Sequence, residues 1–209
     1  MIAALFVETD GEYFGHPLVD PWDAIRDARM YRGPHPVVAH PPCARWSVLA
    51  HSVQAQHPHL KIGDDAGCFE SALRSVRKYG GVLEHPGSSM AFDHYGLPRP
   101  RRGSWQEAAP GEYVTEVYQG TYGHPCQKRT WLFYVGPKPF DLDWRKAPSL
   151  GTVVSFPSRD RNYTGTSGAK AAATPPAFKD LLIRLAFHSV SGPRENPANL
   201  NSTGDPDGT

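Results

Sequence analysis

A single α/β domain with a Rossmann-like, mostly parallel sheet flanked by helices is what the sequence predicts, and three observations carry it. Short apolar runs with the look of buried strands, "IAALFV", "PVVAH" and "GVLEHP", are spaced along the first half of the chain. Helical patterns fall between or after them, and strands alternating with helices imply parallel pairing. Each strand run stops at a turn former, so none can continue as a longer element.

"IAALFV" opens the order as a buried strand, and the turn-rich "ETDGEYFGHP" ends it. Asp20 followed by Pro21 reads as an N-cap and first helical residue, which predicts a helix through "WDAIRDARMY" closed by Gly33. "PVVAH" is the second strand, and Pro41 and Pro42, lacking backbone donors, force the chain out of the sheet. Residues Ala44 to Gly63 read as one long loop, of a length that more often serves function than connection. Phe69, Ala72, Leu73 and Val76 recur at helical spacing, and the Gly80-Gly81 pair stops that helix. "GVLEHP" is a third strand. After a Pro-, Gly- and Arg-rich loop, "EYVTEVYQGTYGHPCQKRTWLFYVG" reads as two strands, the second from Thr130 to Val135. A last helix starts at Thr174-Pro175-Pro176, with Phe178, Leu181, Leu182 and Leu185 on one face. The domain is expected to span 1–190, and the polar residues 191–209, with nothing to bury, to form a disordered tail.

Bulk properties narrow the function classes. Lys and Arg number 22 against 21 Asp and Glu, so no global basic field advertises nucleic acid and any such contact needs a local patch. "PRPRRGSW" is one, with Arg99, Arg101 and Arg102. Three cysteines, Cys43, Cys68 and Cys126, are too few and too irregular for a disulfide framework, which points to a reducing cytoplasm. No apolar run reaches the roughly 18 to 20 residues that span a bilayer, so no membrane partner is expected. A monomer is the expected state.

Ligands of α/β sheets sit at the carboxyl ends of strands, and both "HPPC" and "EHP" lie there. Cys43 is a candidate nucleophile whose thiolate His40 and Arg45 could stabilise, and Glu84 on a neighbouring strand could act as acid or base on the same substrate. On residue type alone a buried, inert cysteine is the commoner outcome. His40, Cys43, His124 and Cys126 could alternatively build a tetrahedral zinc site, although neither His/Cys pair has a zinc-finger spacing and no metal is the primary expectation.

Three local patterns together resemble the DNA (cytosine-5)-methyltransferase family. "HPPCARWS" is similar to its Pro-Cys nucleophile motif, "VLEHPG" to its Glu-Asn-Val motif, and "YGHPCQKRTWLFYVG" to its Tyr-Gly-x-Pro-Gln-x-Arg-x-Arg motif, in the family's order. The likeness covers roughly Pro36 to Gly136. It implies that Cys43 attacks C6 of cytosine, that Glu84 contacts N3 and the exocyclic amine, and that Arg129 orients the reacting groups while Gln127 contacts the base. It also implies S-adenosylmethionine as methyl donor, with Phe6, Gly11 and Pro41 placed at that cofactor. DNA would be the partner, its cytosine flipped or single-stranded. Arg45, Trp46 and Ser47 would touch the vacated strand, and Arg101 and Arg102 its phosphates.

The sequence departs from the family at four points. His85 stands for the Asn of the second motif, Trp131 for the second Arg of the third, the Gly-rich first motif is missing, and no target-recognition insert separates Gly136 from Thr174. That compactness suggests a phage or mobile-element gene acting in the host cytoplasm. A non-catalytic DNA-binding or interaction protein on the same fold is the alternative from a different class.

Overall fold

The structure is a computed structural model, in which residues 1–146 and 173–192 are described. Seven strands form one mixed sheet: β1 (Ile2–Leu5), β2 (Val19–Trp22), β3 (Val37–Ala39), β4 (Gly81–Pro86), β5 (Gln106–Ala109), β6 (Glu112–Tyr118) and β7 (Arg129–Val135). Their spatial order is β2-β1-β3-β4-β7-β6-β5. The helices are α1 (Ala50–Gln56), α2 (Cys68–Tyr79), α3 (Met90–His94) and α4 (Pro176–His188).

The period-2 alternation of each strand divides the core in two. Ala3, Leu5, Val37, Ala39, Leu83 and Phe133 face α2 and α3, with Phe69 and Phe92 buried among them. Ile2, Ala4, Val38, Val82, Leu132 and Tyr134 face α4, which presents Phe178, Leu181, Leu182 and Leu185. The helical face predicted for α2 is the buried one. Asp65 holds its start, accepting from the backbone N–H of Gly67 and Phe69.

The α/β class is found, but the sheet is not mostly parallel. β1, β2, β3 and β4 run parallel, while β7, β6 and β5 join by antiparallel ladders, two of them the longest in the sheet. The short Gln119–Tyr122 turn between β6 and β7 permits only an antiparallel return, whereas parallel pairing needs a long crossover.

Three further differences have local causes. The segment expected to be a helix from Asp20 is β2 followed by a 3₁₀ turn at Ala28–Met30. Pro21 is tolerated because β2 is an edge strand, and Ile25, 81% exposed, shows that a helix there would have had no apolar face to bury. The Ala44 to Gly63 loop contains α1, and the Arg-rich loop leads into β5, which the sequence reading left without an element. Of the expected tail, residues 193–209 lie outside the described residues. Among the described residues no helix is long and apolar enough to cross a membrane.

One glycine is required by the close approach of two strands. Gly81 has φ +121°, and a Cβ there would collide with the backbone of Val37, its register partner on β3. The helix-to-strand junction so formed fixes where β4 ends, and therefore where Glu84 and His85 emerge.

Candidate active site

The carboxyl ends of β3 and β4 lie side by side, so "HPPC" and "EHP" meet at one sheet edge. β7 runs antiparallel to β4 and begins at the same edge, where Thr130 pairs with Pro86 and the Gly87 N–H donates to the Arg129 carbonyl at 2.8 Å. That topology brings Lys128 beside the first two motifs although more than 40 residues separate it from Glu84 in sequence.

A chain of polar side chains crosses this edge. The Tyr13 hydroxyl lies 2.8 Å from His40 Nε2, and His40 Nδ1 lies 3.1 Å from Glu84 Oε2. Gln119 Nε2 donates to Glu84 Oε1 at 3.1 Å and to Thr130 Oγ1 at 3.0 Å. Glu84 is 9% exposed. Burial alone would raise its pKa, but the hydrogen bond and charge of His40, with Lys128 and His85 adding to it, outweigh burial and hold the carboxyl below its ordinary value. An ionised Glu84 only accepts, so the hydrogen on that side of His40 sits on Nδ1. Burial, then the charges of Glu84 and Asp180, push the Tyr13 phenol well above its usual value, so it keeps its proton.

Cys43 stands at the mouth of the edge, exposed as a residue and free of any disulfide. Desolvation of its sulfur, then the negative charge of Glu84, raise the thiol above its ordinary value; its own backbone N–H and Lys128 offset part of this. The resting group is therefore a thiol. Burial lowers Lys128, while Glu84 and Cys43 pull it back up, so the three groups form one electrostatic unit. The cation whose charge acts on the sulfur is Lys128, while the His40 ring is taken up by Tyr13 and Glu84 and Arg45 is half-buried.

A cavity of about 120 Å³ opens between the Cys43 loop and the turn after β4, lined by Cys43, Trp46, Ser47, Leu49, His85 and Gly87 among others. Cys43 reaches both this cavity and the field of Glu84, but Glu84 does not line it. His85 and Glu84 are successive residues of β4, so their side chains leave opposite faces of the strand.

The other expected site residues divide between the edge and the body of the protein. Arg129 is at the edge, but its guanidinium is turned to Glu116, with Nε 2.6 Å from the carboxylate and the side chain 46% exposed. It also packs under Gly87, where a Cβ would meet its Nε at 2.9 Å, so it supports the cavity turn rather than the thiol. Trp46 is 2% exposed; its indole packs against Phe69, His94 and Tyr95 and donates to Asp65 at 2.8 Å. It is a core anchor that shows one edge to the cavity, not a side chain held out for DNA. Ser47 is half-buried at the cavity wall, and Gln127 is half-buried with its carbonyl accepting from Gly120. Arg101 and Arg102 are exposed; Arg102 lies 5.4 Å over the Tyr118 ring, as Lys146 does at 5.6 Å, and Tyr118 pairs with Arg129. Arg99 is paired with Asp93.

S-adenosylmethionine does not fit the residues expected to hold it. Gly11 spends its missing side chain on its own turn, since a Cβ there would meet the Glu8 carbonyl at 2.9 Å. Thr9 ties the same turn to the buried Asp23 after β2. Phe6, with φ +59°, packs on the α2 side of the core, and Pro41 is buried. Tyr13, itself buried, lays its ring 5.4 Å from that of His40, the residue that follows β3.

Lys128, Tyr13 and Gln119 were not legible as site residues. Lys128 carried one usable signal, its place directly before Arg129 and β7; Tyr13 and Gln119 carried none. For the zinc alternative, no group of three or more His, Cys, Asp or Glu among the described residues is arranged to hold a metal. No family model, curated protein or solved structure matches this chain.

Proposed function

We propose that the chain is an enzyme that activates the C5 position of a pyrimidine, cytosine in DNA by preference, through reversible addition of Cys43 to ring carbon C6. The observation that carries this reading is the convergence of Cys43, Glu84 and Lys128 on one sheet edge beside a cavity.

In the free protein the sulfur is protonated. Addition across the C5–C6 double bond places sulfur on C6 and a solvent-derived proton on C5; loss of the other C5 hydrogen as a proton expels the sulfur from C6, which restores the double bond and the free thiol with the C5 hydrogen exchanged. Lys128 stabilises negative charge developing on sulfur as it approaches the ring. Glu84, ionised and turned to the other face of β4 from the cavity, acts through the charge it sets at Cys43 and Lys128 rather than by touching the base. The base must be unstacked, because a thiol in the ring plane cannot reach C6 within a duplex. Arg102 and Lys146, at the Arg129 end of the edge, suit the phosphates of a strand laid across it.

Exchange at C5 tests the reading without any donor. A cytosine-containing single strand incubated in heavy water with the wild-type chain is expected to gain one deuterium per accessible cytosine, and Cys43→Ala to produce none. No gain with either protein rejects the covalent step. It would favour the second reading, a base-binding protein without catalysis, which the raised thiol pKa of Cys43 supports.

A further inference from the structure

His85 is the residue the covalent chemistry leaves unused. It is 0% exposed, it lines the cavity beside Cys43, and neither ring nitrogen has a hydrogen-bond partner. The Pro42 and Pro41 carbonyls approach the ring closely enough to favour its charged form, but not in regular hydrogen-bond geometry. Its ring stands edge-on to Phe69 with centroids 5.1 Å apart. A buried polar group left unsatisfied costs stability, and a ligand entering the cavity that His85 borders would supply the missing partner.

The cavity limits what that ligand is. At about 120 Å³ it is close to the ~150 Å³ that admits a single aromatic ring such as benzene. Its walls combine the Trp46 edge, Leu49 and Pro86 with Ser47 and Ser88, and no carboxylate, lysine or arginine lines it. An uncharged planar ring with a donor and an acceptor on one edge matches such walls, and a neutral imidazole offers one donor and one acceptor in return.

We infer that this cavity is a nucleobase pocket in which His85 reads the hydrogen-bonding edge of the inserted base, so that His85 sets base selectivity while Cys43 does the chemistry. The inference rests on the pyrimidine reading above and gives it a recognition residue that the motif likeness does not supply, since the family has Asn at this position.

Binding titrations of the full chain with a short single strand carrying one cytosine, and with the same strand abasic at that position, test it. The wild type is expected to prefer the cytosine strand. His85→Phe keeps the ring shape and removes both nitrogens; it should fold at least as stably as the wild type, lose about tenfold in affinity for the cytosine strand and keep its affinity for the abasic one. His85→Asn should retain part of the preference. Equal wild-type affinity for the two strands, or a His85→Phe variant that still prefers cytosine, overturns the inference. The two proposals fail separately. His85-dependent preference without C5 exchange rejects the covalent step alone, and exchange untouched by His85→Phe rejects the recognition role alone.

Discussion

Trp46→Ala is expected to destabilise the protein by about 3 to 5 kcal/mol, the range for removing a buried aromatic from a packed core, and to lower the melting temperature by roughly 10 °C. The indole fills space against Phe69, His94 and Tyr95, and Gly63 lies so close that a Cβ there would meet the ring at 3.1 Å. Its N–H donates to Asp65, which also caps α2, while its carbonyl accepts from Met90 at the start of α3. Losing the side chain leaves a void and strands an Asp65 oxygen of its indole partner. Thermal and denaturant unfolding of the two proteins check this. A change below about 0.5 kcal/mol would mean that Trp46 is held in the solvent, free to meet DNA as the motif likeness implies.

The second large effect concerns acid. Burial lowers His85 from its ordinary 6.5 to about 4, with Glu84, the Pro41 and Pro42 backbone and Asp65 pulling the other way. In the folded protein His85 thus stays neutral where the unfolded chain takes up a proton. Stability falls as pH drops from about 6.5 towards 4, by roughly 3 kcal/mol in total, and is flat with respect to this group above about pH 7. Glu84 acts lower on the scale: its folded pKa lies below the ordinary 4.5, so the stability it contributes is present above that value and is lost as pH falls through the folded one. His85→Phe removes only the first contribution. Its unfolding free energy should fall by about 3 kcal/mol less than that of the wild type between neutral pH and about pH 4. Parallel curves for the two proteins would show that His85 titrates normally and is not enclosed.

Local pattern made much of this fold legible, and pairing direction was the part it concealed. The apolar runs of β1, β3, β4 and β7 and the periodic faces of α2 and α4 follow from burial, which leaves its mark on each residue in turn. That β7 would return antiparallel beside β4 depends on which strand ends are neighbours, information that no single run holds. The same limit governs the site. Cys43 and Glu84 could be placed at one edge because each ends its own strand next to a proline. Lys128 joins them only through the β4–β7 register, and Tyr13 only because the loop after β1 folds over His40. Asp20-Pro21 misled for a related reason: a helix start and an edge strand with a tolerated proline share the same two residues, and only the exposure of Ile25 separates them.

The coupling of Cys43 to its two charged neighbours is measured most directly by the pH dependence of its alkylation by iodoacetamide, followed at that residue by mass spectrometry. In the wild type the thiol should titrate above its ordinary value; Glu84→Gln, which removes the negative charge, should bring it down, and Lys128→Met, which removes the positive one, should drive it further up. A Cys43 that titrates at or below the ordinary thiol value, or that does so identically in all three proteins, would mean that sulfur, carboxylate and ammonium do not share one site.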